Sequence, residues 1–219
     1  MDEEDLLGLM APAETPRAAT LLVPAGLTLC SGRYRYDRQI VSGLRTLGWQ
    51  VDVALLDASF PDPTDEALDH VAGVLAEHRD HSLVMVDGLA LGAMAEQIER
   101  VVHRLTLVGF VHHLLAAETG LDDAAARAVA EREGRAVRAA TGLVASGFGT
   151  ARGIGAHGVP RQRVAVVAPG ADPAPRAPGS RNREGARRST PVELLCVASL
   201  IPRKGHDVLL RALGRLPDL

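Results

Sequence analysis

The sequence predicts an α/β protein: a doubly wound domain with a parallel sheet, then the opening of a second α/β unit. Three observations carry that reading. Short apolar runs alternate with helix-period segments from Thr20 to Ala168. Residues 171–190 are rich in Pro, Gly, Ser and Arg, the composition of a linker. A fresh apolar run then starts at Val192 and a fresh helical pattern at Asp207.

The elements follow in order. Residues 1–18 are acidic and Pro/Ala-containing without periodicity, and read as a mobile tail. Thr20–Pro24 is a first strand, closed by Pro-Ala-Gly. Ile40, Val41, Leu44 and Leu47 mark a helix over 37–47, and Gly48 stands where helices end. Val51–Leu55 is a second strand. Thr64 is placed to cap a helix running to about His78. Leu83–Val86, Leu105–Val111, Gly142–Ala145 and Arg163–Ala168 supply four more strands. Helices are expected over 122–140 and from Ser146 to His157. The expected organisation is a tail over 1–18, a doubly wound α/β domain over 19–172, a linker over 173–190 and a first β-α unit over 191–219. That last unit cannot bury both faces of its strand alone.

Composition narrows the function. With 219 residues and 47% hydrophobic residues, the chain can fill a core. Its net charge of −3 gives no electrostatic case for nucleic acid. Cys30 and Cys196 are far apart, without metal-type spacing, and suggest a reducing compartment. The acidic start is unlike a secretory signal, and no apolar run approaches a membrane span. A cytoplasmic protein is expected.

Ligands of open parallel sheets bind beyond the carboxyl ends of the strands, and four such ends draw attention. Ser31, Gly32, Arg33 and Tyr34 lie between the first strand and its helix. They read either as an anion-binding loop or as an ordinary connection. Both tyrosines of the chain, Tyr34 and Tyr36, fall there and suit a pocket rim. His112 and His113 follow the fourth strand and point toward the crevice. Glu118 does not complete a metal site with them. Gly149-Thr-Ala-Arg-Gly153-Ile-Gly155 literally matches a dehydrogenase nucleotide loop. The downstream Tyr-x-x-x-Lys of those enzymes is missing, because Leu200 stands four residues before Lys204, the chain's single lysine. Arg203 and Lys204 lie at a strand-to-helix turn. Such a pair can hold a diphosphate or simply sit in solvent.

Taken together, these segments resemble the GT-B glycosyltransferases of the retaining family GT4. Val197–Leu210 is similar to the first strand, loop and helix of that family's donor domain. Val166-Val167-Ala168-Pro169-Gly170-Ala171-Asp172 resembles its exit from the first domain. Val111–Gly120 resembles its strand-end histidine segment, and Ser31–Asp37 its N-terminal glycine loop.

The resemblance implies two Rossmann-like domains, a nucleotide-sugar donor, and a sugar, lipid or small-molecule acceptor on the first domain. No metal or other cofactor is expected. His112, with His113 beside it, would line the catalytic centre. Lys204, Arg203, Ser199 and Gly32 would serve the donor diphosphate, and Ser31, Arg33 and Tyr34 the acceptor-side loop. Three departures stand out. Ser199 occupies the place of the family's phosphate arginine. Arg33 replaces a loop glycine. The family's Glu-x7-Glu segment would lie past Leu219, so little transfer is expected from these residues alone. The rival expectations are a non-catalytic acceptor-binding or partner subunit, with a second chain supplying the donor half, and an NAD(P)-linked oxidoreductase. Peripheral membrane contact through a lipid acceptor is left open.

Overall fold

The computed structural model describes residues 17–24, 32–176 and 194–216, with the backbone alone at 32 and 33. Residues 1–16 of the expected 1–18 tail, Cys30, Ser31, the Arg33 side chain and residues 177–193 lie outside the described residues, while Ala18 of that tail already belongs to the first strand.

Six strands form one all-parallel sheet. They are β1 (Ala18–Pro24), β2 (Gln50–Leu56), β3 (Leu83–Asp87), β4 (Thr106–Val111), β5 (Gly142–Ala145) and β6 (Val164–Val166). Their order is β2-β1-β3-β4-β5-β6. It reverses at β1, which is flanked by β2 on one side and β3 on the other. Such a reversal opens a crevice at the carboxyl ends of the strands.

The helices are α1 (Gly32–Thr46), α2 (Asp65–Glu77), α3 (Gly88–Leu91), α4 (Ala95–Val101), α5 (Asp123–Ala139), α6 (Phe148–Ala156) and α7 (His206–Leu213). Local chemistry sets several ends. Gly48 takes φ +84° just past α1, a conformation that favours glycine. The Thr64 hydroxyl accepts from Ala67 N at 3.2 Å and caps α2. Asp122 accepts from Ala124 N and Ala125 N and caps α5.

Two apolar clusters cover the two faces of the sheet. The larger joins Leu22, Val84, Val86, Leu107 and Leu143 to Val71 and Leu75 of α2, Ile98 of α4, Val137 of α5 and Ile154 of α6. The smaller joins Leu21, Val23, Val51, Met85 and Phe110 to α1 residues Ile40, Val41 and Leu44. Its helical members come from α1 alone. Burying a Leu, Val or Ile contributes roughly 1.5–3 kcal/mol each, so these clusters hold the site's scaffold.

Two expectations are corrected here. The helix after β1 begins at Gly32, so Arg33, Tyr34 and Tyr36 are helical residues and not members of an open loop. The expected strand over 192–197 is not formed in its described part, 194–197. Leu195 and Val197 are 89% and 85% exposed. An apolar run becomes a strand only where a neighbour offers backbone partners, and none does so here among the described residues.

The chain separates into two compact units. One reaches Pro169 apart from 118–120, and the other comprises Glu118–Gly120 and residues from Gly170 onward. In the second unit, a 3-10 turn over Pro202–Lys204 leads through Gly205 (φ +67°) into α7. No helix among the described residues is long and apolar enough to cross a membrane.

Candidate functional site

Three polar side chains converge at the carboxyl ends of β3 and β4. They are Asp37, Asp87 and His112, each brought by a different element.

Asp37 lies on α1, one turn before Val41 and on the same helix face. The packing that buries Val41 and Ile40 against the sheet therefore carries Asp37 inward. It is fully buried. Its Oδ1 meets His112 Nε2 at 3.2 Å, and its Oδ2 finds no hydrogen-bond partner among the described residues.

Asp87 is the last residue of β3 and is also fully buried. Its Oδ1 accepts from Leu89 N at 2.9 Å and caps α3, while Oδ2 lies 3.9 Å from His112 Nε2. Gly88 makes this turn feasible. A Cβ there would stand 2.7 Å from Phe110 O and 3.3 Å from Val111 Cα. The backbone after Asp87 thus lies directly against β4.

His112 follows β4 and is held on several sides. Its carbonyl accepts from Ser146 Oγ at 3.0 Å and from Thr150 Oγ1 at 3.3 Å. Its ring meets Tyr36 edge to face, with centroids 4.9 Å apart and planes at 83°. The His112 side chain keeps 16% exposure. It is thus the member of the trio that solvent reaches.

The tyrosines tie the scaffold rather than rim a pocket. Tyr34 donates to Pro24 O and Tyr36 to Val167 O, each at 3.0 Å, and both rings are buried. Burial raises the Tyr36 pKa above the ordinary tyrosine value, and the Asp37 carboxylate adds to the rise.

Behind the histidines, buried Glu133 of α5 accepts from Leu115 N at 2.8 Å and Ala116 N at 3.2 Å. It caps the 3-10 turn over Leu115–Ala117 and fixes the path of the chain leaving His112 and His113. In the glycine run after β5, only Gly153 is closely packed; a Cβ at Gly147, Gly149 or Gly155 would meet nothing within 4 Å. A Cβ at Gly153 would meet Leu114 Cδ1 at 2.5 Å.

Of the expected site residues, the structure brings His112 into a polar cluster and leaves His113 half-buried next to it. Gly32 is the first residue of α1, and Tyr34 is buried in the same helix. Ser199, Arg203 and Lys204 belong to the second unit and are exposed. There, Arg203 Nε lies 3.1 Å from Glu118 Oε1, and His206 Nε2 lies 3.0 Å from Ser199 O.

Asp37, Asp87 and His112 offer ligand atoms within 4.8 Å of one another, so together they can hold a divalent cation. That geometry alone does not assign one. A cavity of about 530 Å³ lies elsewhere, lined by Phe148, Arg152, Val159, Arg161, Val164 and Val166. Its only polar side chains are two arginines. The convergence of buried acids and a slightly exposed histidine therefore marks the site better than cavity size does.

The fold defines an α/β protein with a Rossmann-like parallel sheet and a polar cluster at its switch point. No protein-family model matches the chain, and no curated protein matches it.

Proposed function

We propose that the chain is the acceptor-side part of a GT-B, GT4-type retaining glycosyltransferase using a nucleotide-sugar donor. The single observation that carries this reading is His112. It stands at the carboxyl end of β4, slightly exposed, beside two fully buried carboxylates. In this reading His112 hydrogen-bonds the transferred sugar. The bond between the anomeric carbon and the diphosphate breaks, an acceptor oxygen bonds to that carbon, and the acceptor's proton passes to the departing diphosphate oxygen. In the second unit, Arg203 and Lys204 form a basic pair of the kind that can bind a diphosphate. They lie at a 3-10 turn that leads through Gly205 into α7.

The test is calorimetric titration with UDP-glucose, GDP-mannose and ADP-glucose. At least one is expected to bind, with affinity reduced tenfold or more in Lys204→Ala. No binding of any nucleotide-sugar, together with no binding of sugar acceptors, would contradict the reading.

A second reading has its own supporting observation. Leu195, Val197 and Leu200 are almost fully exposed in the second unit, as residues awaiting neighbours would be. A partner chain supplying the rest of a donor half would cover them. Acceptor binding without nucleotide-sugar binding would select this reading.

A further inference from the structure

We propose that Asp37 is the positioning residue for His112, holding it as the Nε2–H tautomer so that Nδ1 presents its lone pair to the ligand. The proposal deepens the transferase reading, because it rests on His112 being part of the site.

The geometry is specific. When the Asp37 carboxylate is ionised it only accepts hydrogen bonds, and the 3.2 Å contact then places the proton on His112 Nε2. Asp37 is fully buried and has no competing donor among the described residues, so its charge is directed at that one proton. Asp87 Oδ2, 3.9 Å from the same nitrogen, reinforces the preference for hydrogen there. The Tyr36 ring, lying edge to face, restricts rotation of the imidazole. The Ser146 and Thr150 hydroxyls anchor the His112 backbone through its carbonyl. The imidazole is thus fixed in backbone, ring plane and one nitrogen. Nδ1 has no hydrogen-bond partner among the described residues. It is the nitrogen left to accept from a hydroxyl, the group that sugar donors and acceptors supply in number. Second residues of this kind set tautomer and orientation wherever histidine must present one chosen nitrogen.

Asp37 is not a catalytic residue in this account, since it acts through His112. The test is imidazole nitrogen NMR on the whole chain at roughly pH 8, above the ordinary histidine range. His112 is assigned by the resonance missing in His112→Gln. Wild type is expected to show a downfield, exchange-protected Nε2–H signal and an unprotonated Nδ1. Asp37→Leu should lose the protected signal while the other histidines keep theirs. Should Asp37→Leu fail to fold, Asp37→Asn carries the test. Its neutral amide is a weaker acceptor, so the signal should move upfield and exchange at least tenfold faster.

A protonated Nδ1 in wild type, or an Nε2–H signal unchanged in both variants, overturns the proposal. So does loss of the wild-type signal on adding one equivalent of Zn²⁺, which would assign Nε2 to a cation. None of these readouts needs sugar transfer. A protected Nε2–H signal without nucleotide-sugar binding supports the role of Asp37 and counts against the transferase reading alone.

Discussion

His112 Nε2 lies 3.2 Å from Asp37 Oδ1, a contact between side chains 75 positions apart in the chain. It joins α1, the helix on one face of the sheet, to the carboxyl end of β4. Its stability consequence is direct. In His112→Ala the fully buried Asp37 would lose that donor, at a cost of about 1–3 kcal/mol. His112→Gln places an amide N–H near the same oxygen and should recover most of the loss. Urea unfolding of the two variants checks the ordering. Equal stability of His112→Ala and wild type would show that the contact contributes nothing.

Gly88 tests the turn that carries Asp87. A Cβ added there would stand 2.7 Å from the Phe110 carbonyl, a backbone atom that cannot move aside cheaply. Gly88→Ala should destabilise by roughly 1–3 kcal/mol through overpacking. Gly73 lies in α2 with nothing within 4 Å of an added Cβ, so Gly73→Ala should not destabilise. Thermal unfolding of the pair separates local crowding from a general effect of replacing glycine.

Glu133 tests the support behind the histidines. It satisfies two backbone N–H groups, Leu115 N and Ala116 N, from a buried position. Hydrogen bonds to a charged acceptor are worth about 1.5–3 kcal/mol each. Glu133→Ala should therefore cost about 3–6 kcal/mol, and Glu133→Gln distinctly less. Amide exchange at Leu115 and Ala116 should accelerate in Glu133→Ala. Unchanged protection there would show that the cap is not needed.

Tyr36 predicts a loss of stability in alkali. Its pKa is raised in the folded chain, by burial first and by the Asp37 charge second. Below the ordinary tyrosine value of about 10 the phenol is neutral in both states, and its contribution to stability is fully present. As pH rises past that value and through the folded one, the unfolded chain ionises first and stability falls. Tyr36→Phe should flatten this part of the profile while losing the hydrogen bond to Val167 O. Urea melts across about pH 9–11 measure it. A wild-type slope matching that of Tyr36→Phe would contradict the assignment.

Much of the scaffold was legible in the sequence because its signals are local. Six apolar runs became six parallel strands, and Gly48 and Thr64 ended and began helices where their chemistry suggested. The short helices α3 and α4 were not legible, since four and seven residues carry too little periodicity. The run before Lys204 was misread because apolar composition reports a wish for burial, not the presence of neighbours.

The site was legible only in part. His112 could be placed at a strand end from sequence order alone. Asp37 and Asp87 could not be joined to it, because nothing local ties the three together. The inward turn of Asp37 follows from its spacing to Val41 once the helix is known to begin at Gly32. Tyr34 and Tyr36 suggested a pocket rim by residue type. Their hydroxyls are bound to backbone carbonyls instead.

In the proposed transferase reading, His112 contacts the sugar of a nucleotide-sugar donor. The most direct measurement follows the His112 ring nitrogens while UDP-glucose, GDP-mannose and ADP-glucose are added in turn. The account predicts a saturable shift of Nδ1 with at least one donor, with Nε2 keeping its proton. No shift at His112 with any of the three would contradict it.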